Sequence, residues 1–168
     1  EFGFPIIGIP GTIDNNLYGT DNTIGYDTAN NTVVKCIDKI RDTANSHNRL
    51  FIVEVMGRDS GFIALSAGVA TGALDIILPE TSSNFDRMFD SVQKGAKNKK
   101  TSNIIVVAEG NKLGTPFEIS QKLVNKYPHL DIKVTVLGHV QRGGSPSTLD
   151  RVNAVSYTHL RAHETHID

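Results

Sequence analysis

LFIVEVMGRDSGFIAL, Leu50 to Leu65, decides the architecture. LFIVEVM is apolar and rich in branched residues, interrupted by Glu54 alone, and it stops at Gly57. A near-continuous apolar run of this length predicts a strand buried on both faces. After a short polar turn, Phe62–Gly72 is small and apolar and predicts a buried helix. Working outward, the alternation repeats. Asp75–Leu78 with Pro79 predicts a strand and its stop, Phe85–Lys97 a polar amphipathic helix, and Lys97–Lys100 a basic helix end that complements the dipole. NIIVVA (Asn103–Ala108) is a strand, Pro116–Tyr127 a helix and KVTVL (Lys133–Leu137) the last strand. Gly143–Pro146 is a turn before a helix starting near Ser147. Upstream, Phe4–Ile9 is a short apolar strand bounded by prolines. Thr23–Ala44 carries Ile24, Val33, Val34, Ile37 and Ile40 at mostly helical spacing, with Asp21 or Thr23 as N-cap. The expectation is an α/β fold: a three-layer αβα arrangement with a mostly parallel sheet.

The chain has 168 residues, 39% hydrophobic and 21% charged, which suits one globular domain rather than a disordered segment. A formal charge of −1 does not mark a nucleic-acid or membrane-surface binder. One cysteine, Cys36, excludes an intrachain disulfide and fits a reducing, cytoplasmic setting. No apolar run approaches the ~18 residues that span a bilayer. EFGFPIIG lacks the basic start of a signal peptide. The missing initiator Met and a start close to a strand lead us to expect a fragment, incomplete at both ends.

In parallel sheets ligands bind beyond the carboxyl ends of the strands. In PIIGIPGTIDNN (Pro5–Asn16) the apolar IIGI breaks at Pro10-Gly11 and delivers Thr12, Asp14 and Asn16. Asp14 reads either as an Asx turn or as a base held at a strand end. Met56-Gly57-Arg58 follows the second strand, Glu109-Gly110 the fourth, and His139 with Gln141-Arg142-Gly143-Gly144 the last. Polar and cationic groups thus recur at one edge. Taken singly, His139 reads as a turn histidine and Arg49 as a solvated charge. A buried Glu109 without a partner is costly, which argues for a role.

PGTIDNN, GTDNTIGYDTA, EVMGRDSGFIAL, VAEG and VLGHVQRGGSP, in that order and spacing, resemble the 6-phosphofructokinase family over roughly residues 5 to 154. The resemblance implies transfer of the γ-phosphoryl of ATP to the C1 hydroxyl of fructose 6-phosphate, the glycolytic step that gives fructose 1,6-bisphosphate and ADP. It implies magnesium with the ATP, its main ligand lying in an upstream glycine-rich half. It also implies a homotetramer with sites shared between subunits, and no nucleic-acid or membrane partner. By resemblance, residues 1–25 close the nucleotide-binding domain and carry the catalytic loop. Residues 26–138 form the fructose 6-phosphate domain, and 139–154 return toward the first domain.

Residue by residue, Asp14 matches the catalytic base, Thr12 a group holding the transferring phosphoryl, and Arg58 a cation near it. Asn16 stands where many members carry a second Asp, which bears on metal affinity. Arg142 and His139 match groups on the 6-phosphate and sugar, Met56 and Gly57 the loop over the sugar, and Glu109 a sugar-hydroxyl acceptor. Arg49 and Lys133 match cations reaching the 6-phosphate from a neighbouring subunit. Lys133 replaces the usual Arg and loses its planar fork. Gly11 matches a donor-pocket position where pyrophosphate-using relatives typically carry Lys, so it implies ATP. Arg41 matches an effector-binding cation or is a helix-end charge, and Leu74 stands where bacterial members place an acid for effector-bound magnesium. The competing readings are a pyrophosphate-dependent enzyme and a non-catalytic sugar-phosphate-binding fragment.

From Val155 the text VSYTHLRAHETHID departs from the family pattern. His159, His163 and His166 have the helical i, i+4, i+7 spacing of a metal site, but no Cys accompanies them. Residues 155–168 read as a non-native tail.

Overall fold

The computed structural model describes residues 8–47, 49–82, 84–97 and 103–159, with 44–47, 96–97 and 158–159 as main chain only. Four parallel strands form the sheet: β3 (Arg49–Val55), β4 (Asp75–Ile77), β5 (Ile104–Ala108) and β6 (Asp131–Val136), in spatial order β4-β5-β3-β6. A separate parallel pair joins β1 (Gly11–Thr12) to β2 (Ile24–Gly25). The helices are α1 (Tyr26–His47), α2 (Phe62–Ala70), α3 (Phe85–Lys97), α4 (Pro116–Lys126) and α5 (Thr148–His159), with a 3-10 turn at Gly138–Arg142 before α5.

Alternation along the strands builds the three layers. Phe51, Val53 and Val55 of β3, with Ile104, Val106 and Ala108 of β5, pack on Ala29, Val33 and Ile37 of α1 and on Ile63, Ala64 and Ala67 of α2. Leu50, Ile52, Ile105 and Val107 point the other way, onto Met88 and Val92 of α3 and Ile119 and Leu123 of α4. Each fully buried Ile, Leu, Met or Val of these clusters contributes roughly 1.5–3 kcal/mol. The three-layer α/β reading of the sequence therefore stands.

Four local expectations change. The first strand was expected over Phe4–Ile9. Residues 1–7 lie outside the described part; Gly8 and Ile9 are not strand, and among the described residues strand pairing begins at Gly11. The Ile24 N–H donates to the Pro10 carbonyl at 3.0 Å, so Pro10-Gly11 takes part in strand pairing. The first helix starts at Tyr26, because Ile24-Gly25 pairs with β1 and Gly25 has φ +107. Neither Asp21 nor Thr23 caps it with a side chain. The Thr23 hydroxyl donates to the Thr12 carbonyl at 2.7 Å, and the cap is Asp150 from α5, bonded to the Gly25 and Thr28 N–H groups at 2.9 Å. Finally, α2 buries one face only: Phe62, Leu65 and Val69 are 45%, 45% and 66% exposed, an apolar stripe on the outer side.

Residues 98–100 of the expected basic helix end, with His163 and His166, lie outside the described residues. α5 runs on through Val155 and Tyr157, into the stretch read as a tail.

Candidate active site

Asp14 follows β1 at the end of a tight turn. Its N–H donates to the Thr12 hydroxyl at 3.2 Å. Asn15 adopts φ +52, and its side chain holds the turn closed, accepting from the Thr23 N–H at 2.8 Å and donating to the Asp21 carbonyl at 3.1 Å. Asn tolerates this left-handed conformation better than bulkier residues do, which accounts for an Asn directly after the acid. Asp14 itself is 9% exposed. One carboxylate oxygen lies 3.7 Å from Nε of Arg58, whose side chain is 74% exposed. A mostly buried acid thus faces a solvent-facing cation across a short gap.

Arg58 sits in the turn that leaves β3. Gly57 has φ +145 and Arg58 φ +52. A side chain at Gly57 would place its Cβ 2.4 Å from the Ser60 carbonyl oxygen, so only glycine fits. Glu109, at the end of neighbouring β5, fixes this turn: its Oε1 accepts from the Gly57 N–H at 3.2 Å and the Arg58 N–H at 2.6 Å. The expectation of a buried Glu109 is corrected: the residue is exposed. Its reason for being there is the pair of main-chain donors, and its other oxygen is left to solvent or a ligand.

The third approach is from β6. His139 and Arg142 are exposed on the 3-10 turn Gly138–Arg142, and Gln141 between them is 1% exposed. The Gln141 amide accepts from the Met56 N–H at 3.1 Å and donates to the Gly138 carbonyl at 2.9 Å. It thereby ties the turn carrying His139 and Arg142 to the Met56-Gly57 loop. Arg142 also lines an open cavity of about 560 Å³ between β2 and α5, walled by Ile13, Ile24, Gly144 and Val155.

Asp14, Thr12, Arg58, Met56, Gly57, Glu109, His139 and Arg142 therefore stand on connected loops at the carboxyl ends of β1, β3, β5 and β6. Arg49 and Lys133 do not join them. They sit near the amino ends of β3 and β6, where Arg49 pairs with Asp131 at 2.7 Å and Lys133 with Asp131 at 2.8 Å. Hydrogen bonds from Lys133 and then Arg49 hold the Asp131 carboxyl below its ordinary range. Glu54, on β3 beneath the loops, is shifted the other way: burial, then the charge of Glu109, raises it.

Gly11 opens β1, and a Cβ there would meet nothing within 4 Å. Arg41 lies on α1, away from these loops. Its guanidinium donates to the Thr71 carbonyl at the end of α2 and pairs with Asp38 at 3.5 Å. Leu74 packs against Gly95 of α3, in contact with the second core cluster. Among the described residues no group of three or more His, Cys, Asp or Glu is placed to hold a metal ion. No described helix is long and apolar enough to cross a membrane.

Sequence reasoning gave no role to Gln141, Ser60 or Asp150. Asp150 had a legible signal, since Ser147-x-x-Asp150 is a capping-box spacing, and the Ser147 hydroxyl does accept from the Asp150 N–H at 3.2 Å. Gln141 and Ser60 had none, because their partners lie on other loops.

The family model described as Phosphofructokinase matches residues 1–164, which reaches past residue 154. The chain is 53% identical over 154 residues to the ATP-dependent 6-phosphofructokinase 2 of Bacteroides thetaiotaomicron, covering 92% of this chain and 47% of that protein. It is 59% identical over 152 residues to the ATP-dependent 6-phosphofructokinase of Listeria welshimeri, covering 90% and 47%. The chain thus spans about half the length of the curated relatives it matches. Among solved structures, phosphofructokinase from Saccharomyces cerevisiae superposes with a TM-score of 0.83 at 45% identity, over 89% of this chain and 21% of that one. A pyrophosphate-dependent phosphofructokinase from Marinobacter aquaeolei gives a TM-score of 0.71 at 25% identity, over 93% and 44%. With the family model covering nearly its whole length, the chain belongs to the phosphofructokinase family.

Proposed function

We propose that this chain carries the acceptor site and general base of an ATP-dependent 6-phosphofructokinase. The single observation that carries the reading is the buried Asp14 carboxylate 3.7 Å from Arg58, on a turn that Glu109 fixes. Phosphoryl transfer needs a positioned hydroxyl, a base for its proton and a cation for the charge on the moving group. In this reading the C1 oxygen of fructose 6-phosphate attacks the γ-phosphorus of ATP, the bond to the bridging oxygen of ADP breaks, and the hydroxyl proton passes to Asp14. Arg58 and the Thr12 hydroxyl attend the phosphoryl group. Arg142 and His139 bind the sugar 6-phosphate, Met56 and Gly57 close over the ring, and the free oxygen of Glu109 accepts from a sugar hydroxyl.

Magnesium would accompany the ATP and would neutralise phosphate charge, its main ligand being expected in the upstream half. Residues 1–25 are read as the close of a nucleotide-binding domain, 26–138 as the sugar-phosphate domain and 139–154 as a return segment. A cytoplasmic homotetramer goes with this reading. It is supported by the apolar stripe Phe62, Leu65 and Val69, and by the placement of Arg49 at the amino end of β3, with Lys133 nearby in β6, away from Arg142. ATP is favoured as donor by the names of the 53–59% identical relatives and by the uncharged, open position of Gly11. The pyrophosphate reading has in its favour the likeness to the Marinobacter aquaeolei structure, at lower identity.

The test is a coupled assay on the full-length protein, with fructose 6-phosphate and either ATP or pyrophosphate. Turnover with ATP is expected. Turnover with pyrophosphate alone overturns the donor assignment, and none with either donor leaves only the binding fragment.

A further inference from the structure

We propose that Ser60 is a positioning residue for Asp14, an inference that rests on reading Asp14 as the base. Ser60 ends the turn Gly57–Ser60 and is 7% exposed. Its hydroxyl oxygen lies 3.0 Å from the carbonyl oxygen of Asp14 and 3.0 Å from that of Gly57. The Gly57 carbonyl already accepts from the Ser60 N–H at 3.0 Å, which closes the turn. A hydroxyl carries one proton. We assign it to the Asp14 carbonyl, 46 residues away in sequence.

The consequence is geometric. One four-residue turn touches Asp14 twice, through Arg58 at its carboxylate and through Ser60 at its main chain. Glu109 holds the same turn from β5, and the Gln141 amide holds Met56 just before it. The loop bearing the base belongs to the small β1–β2 pair, whereas the turn belongs to the main sheet. Ser60 is therefore the direct main-chain tie between the base and the loops that hold the sugar. Its hydroxyl does not touch the Asp14 carboxylate. It sets where the base stands. Misplacing a base lowers turnover while leaving the substrate's own contacts intact.

The test uses Ser60→Ala and Ser60→Cys in the full-length protein, with two readouts. In steady-state kinetics Ser60→Ala should lower kcat about tenfold, with the KM for fructose 6-phosphate within about twofold. An unchanged kcat, or a loss confined to KM, overturns the proposal. Ser60→Cys refills the side-chain volume with a weak donor, so it should stay slow; full recovery would assign the effect to packing. In hydrogen exchange, peptides covering Gly11–Leu17 should exchange faster in Ser60→Ala while those of β3 and α2 stay unchanged. No change in that segment removes the tie. If the unsubstituted protein does not phosphorylate fructose 6-phosphate, the proposed function fails, and the exchange readout alone still decides whether Ser60 holds Asp14.

Discussion

Asp150 caps a helix whose Thr28 lies 122 residues before it: its carboxylate accepts from the N–H of Thr28 at 2.9 Å and from the Thr28 hydroxyl. Its other oxygen accepts from the Gly25 N–H at 2.9 Å, and the Ser147 N–H donates to the Thr28 hydroxyl oxygen at 3.0 Å. The first turns of α1 and α5 thus meet at one buried carboxylate, which satisfies donors of one helix and lies near the positive end of both. Burial alone would raise the Asp150 pKa. The hydrogen bonds from Thr28, Gly25 and Ser147 outweigh it, and the net shift is downward.

Asp150→Ala should therefore destabilise the fold, by roughly 0.5–2 kcal/mol for the lost cap and more if the Thr28 donors stay buried. The sign with pH follows from the depressed folded-state value. Stability from this carboxylate is fully present above the ordinary aspartate range and is lost as pH falls through the folded pKa. Denaturant titrations from neutral to acid pH should show the two proteins converging at low pH. A constant gap across the range would mean the charge is not what matters.

Asp14→Ser tests the base. Asp14 makes its positioning contacts largely through its main chain, so the substitution leaves the loop in place. In full-length protein kcat should drop by ~10²–10⁴-fold, with fructose 6-phosphate affinity little changed. Near-normal turnover would remove Asp14 from the role.

Donor choice is tested at Gly11. Nothing lies within 4 Å of a Cβ placed there, so Gly11→Lys should fold normally and bring a cation to the start of the loop that bears Asp14. The ratio of ATP to pyrophosphate turnover should fall. If the unsubstituted enzyme already prefers pyrophosphate at matched concentrations, the meaning attached to Gly11 is wrong.

Glu54 supplies a pH effect of opposite sign. Burial and the neighbouring Glu109 charge raise its pKa, so its stabilising share is present below the ordinary glutamate range and is lost as pH rises through the folded value. Glu54→Gln should gain stability at neutral pH and flatten the decline between acid and neutral conditions. Thermal unfolding at several pH values reads this directly, and parallel curves for the two proteins would count against it.

The sheet was legible because its two central strands are apolar on both faces, and that pattern belongs to each strand by itself. LFIVEVM and NIIVVA need no knowledge of their neighbours to be read as core. The small β1–β2 pair was not legible, because each strand has two residues and Pro10-Gly11 carries a turn signal that pairing with Ile24 overrides. The helix start was misplaced for a related reason: the cap of α1 comes from Asp150, and local rules search only nearby residues. The strand-end acids and cations were visible as types. Which of them share an edge was not, until the register placed Arg49 opposite Asp131 and drew Arg49 and Lys133 away from Arg142.

That separation makes the sharing of sites testable. Arg49 and Lys133 lie near the amino ends of their strands and Arg142 beyond the carboxyl ends, and β3 alone is 7 residues long, about 20 Å at the usual strand rise. One subunit is therefore not expected to bring all three cations to one sugar phosphate. In the tetramer proposed above, a site takes Arg142 from one subunit and Arg49 from its neighbour. Arg49→Ala and Arg142→Ala should each raise the KM for fructose 6-phosphate. Co-assembled from the two variants in equal amounts, about a quarter of the sites should combine an intact Arg142 with an intact Arg49, so low-KM activity should reappear at about that fraction. Each variant alone cannot form such a site. Recovery of low-KM turnover in the mixture supports a shared site. If the mixture behaves as the average of the two variants, Arg49 acts within its own subunit and the shared site is overturned.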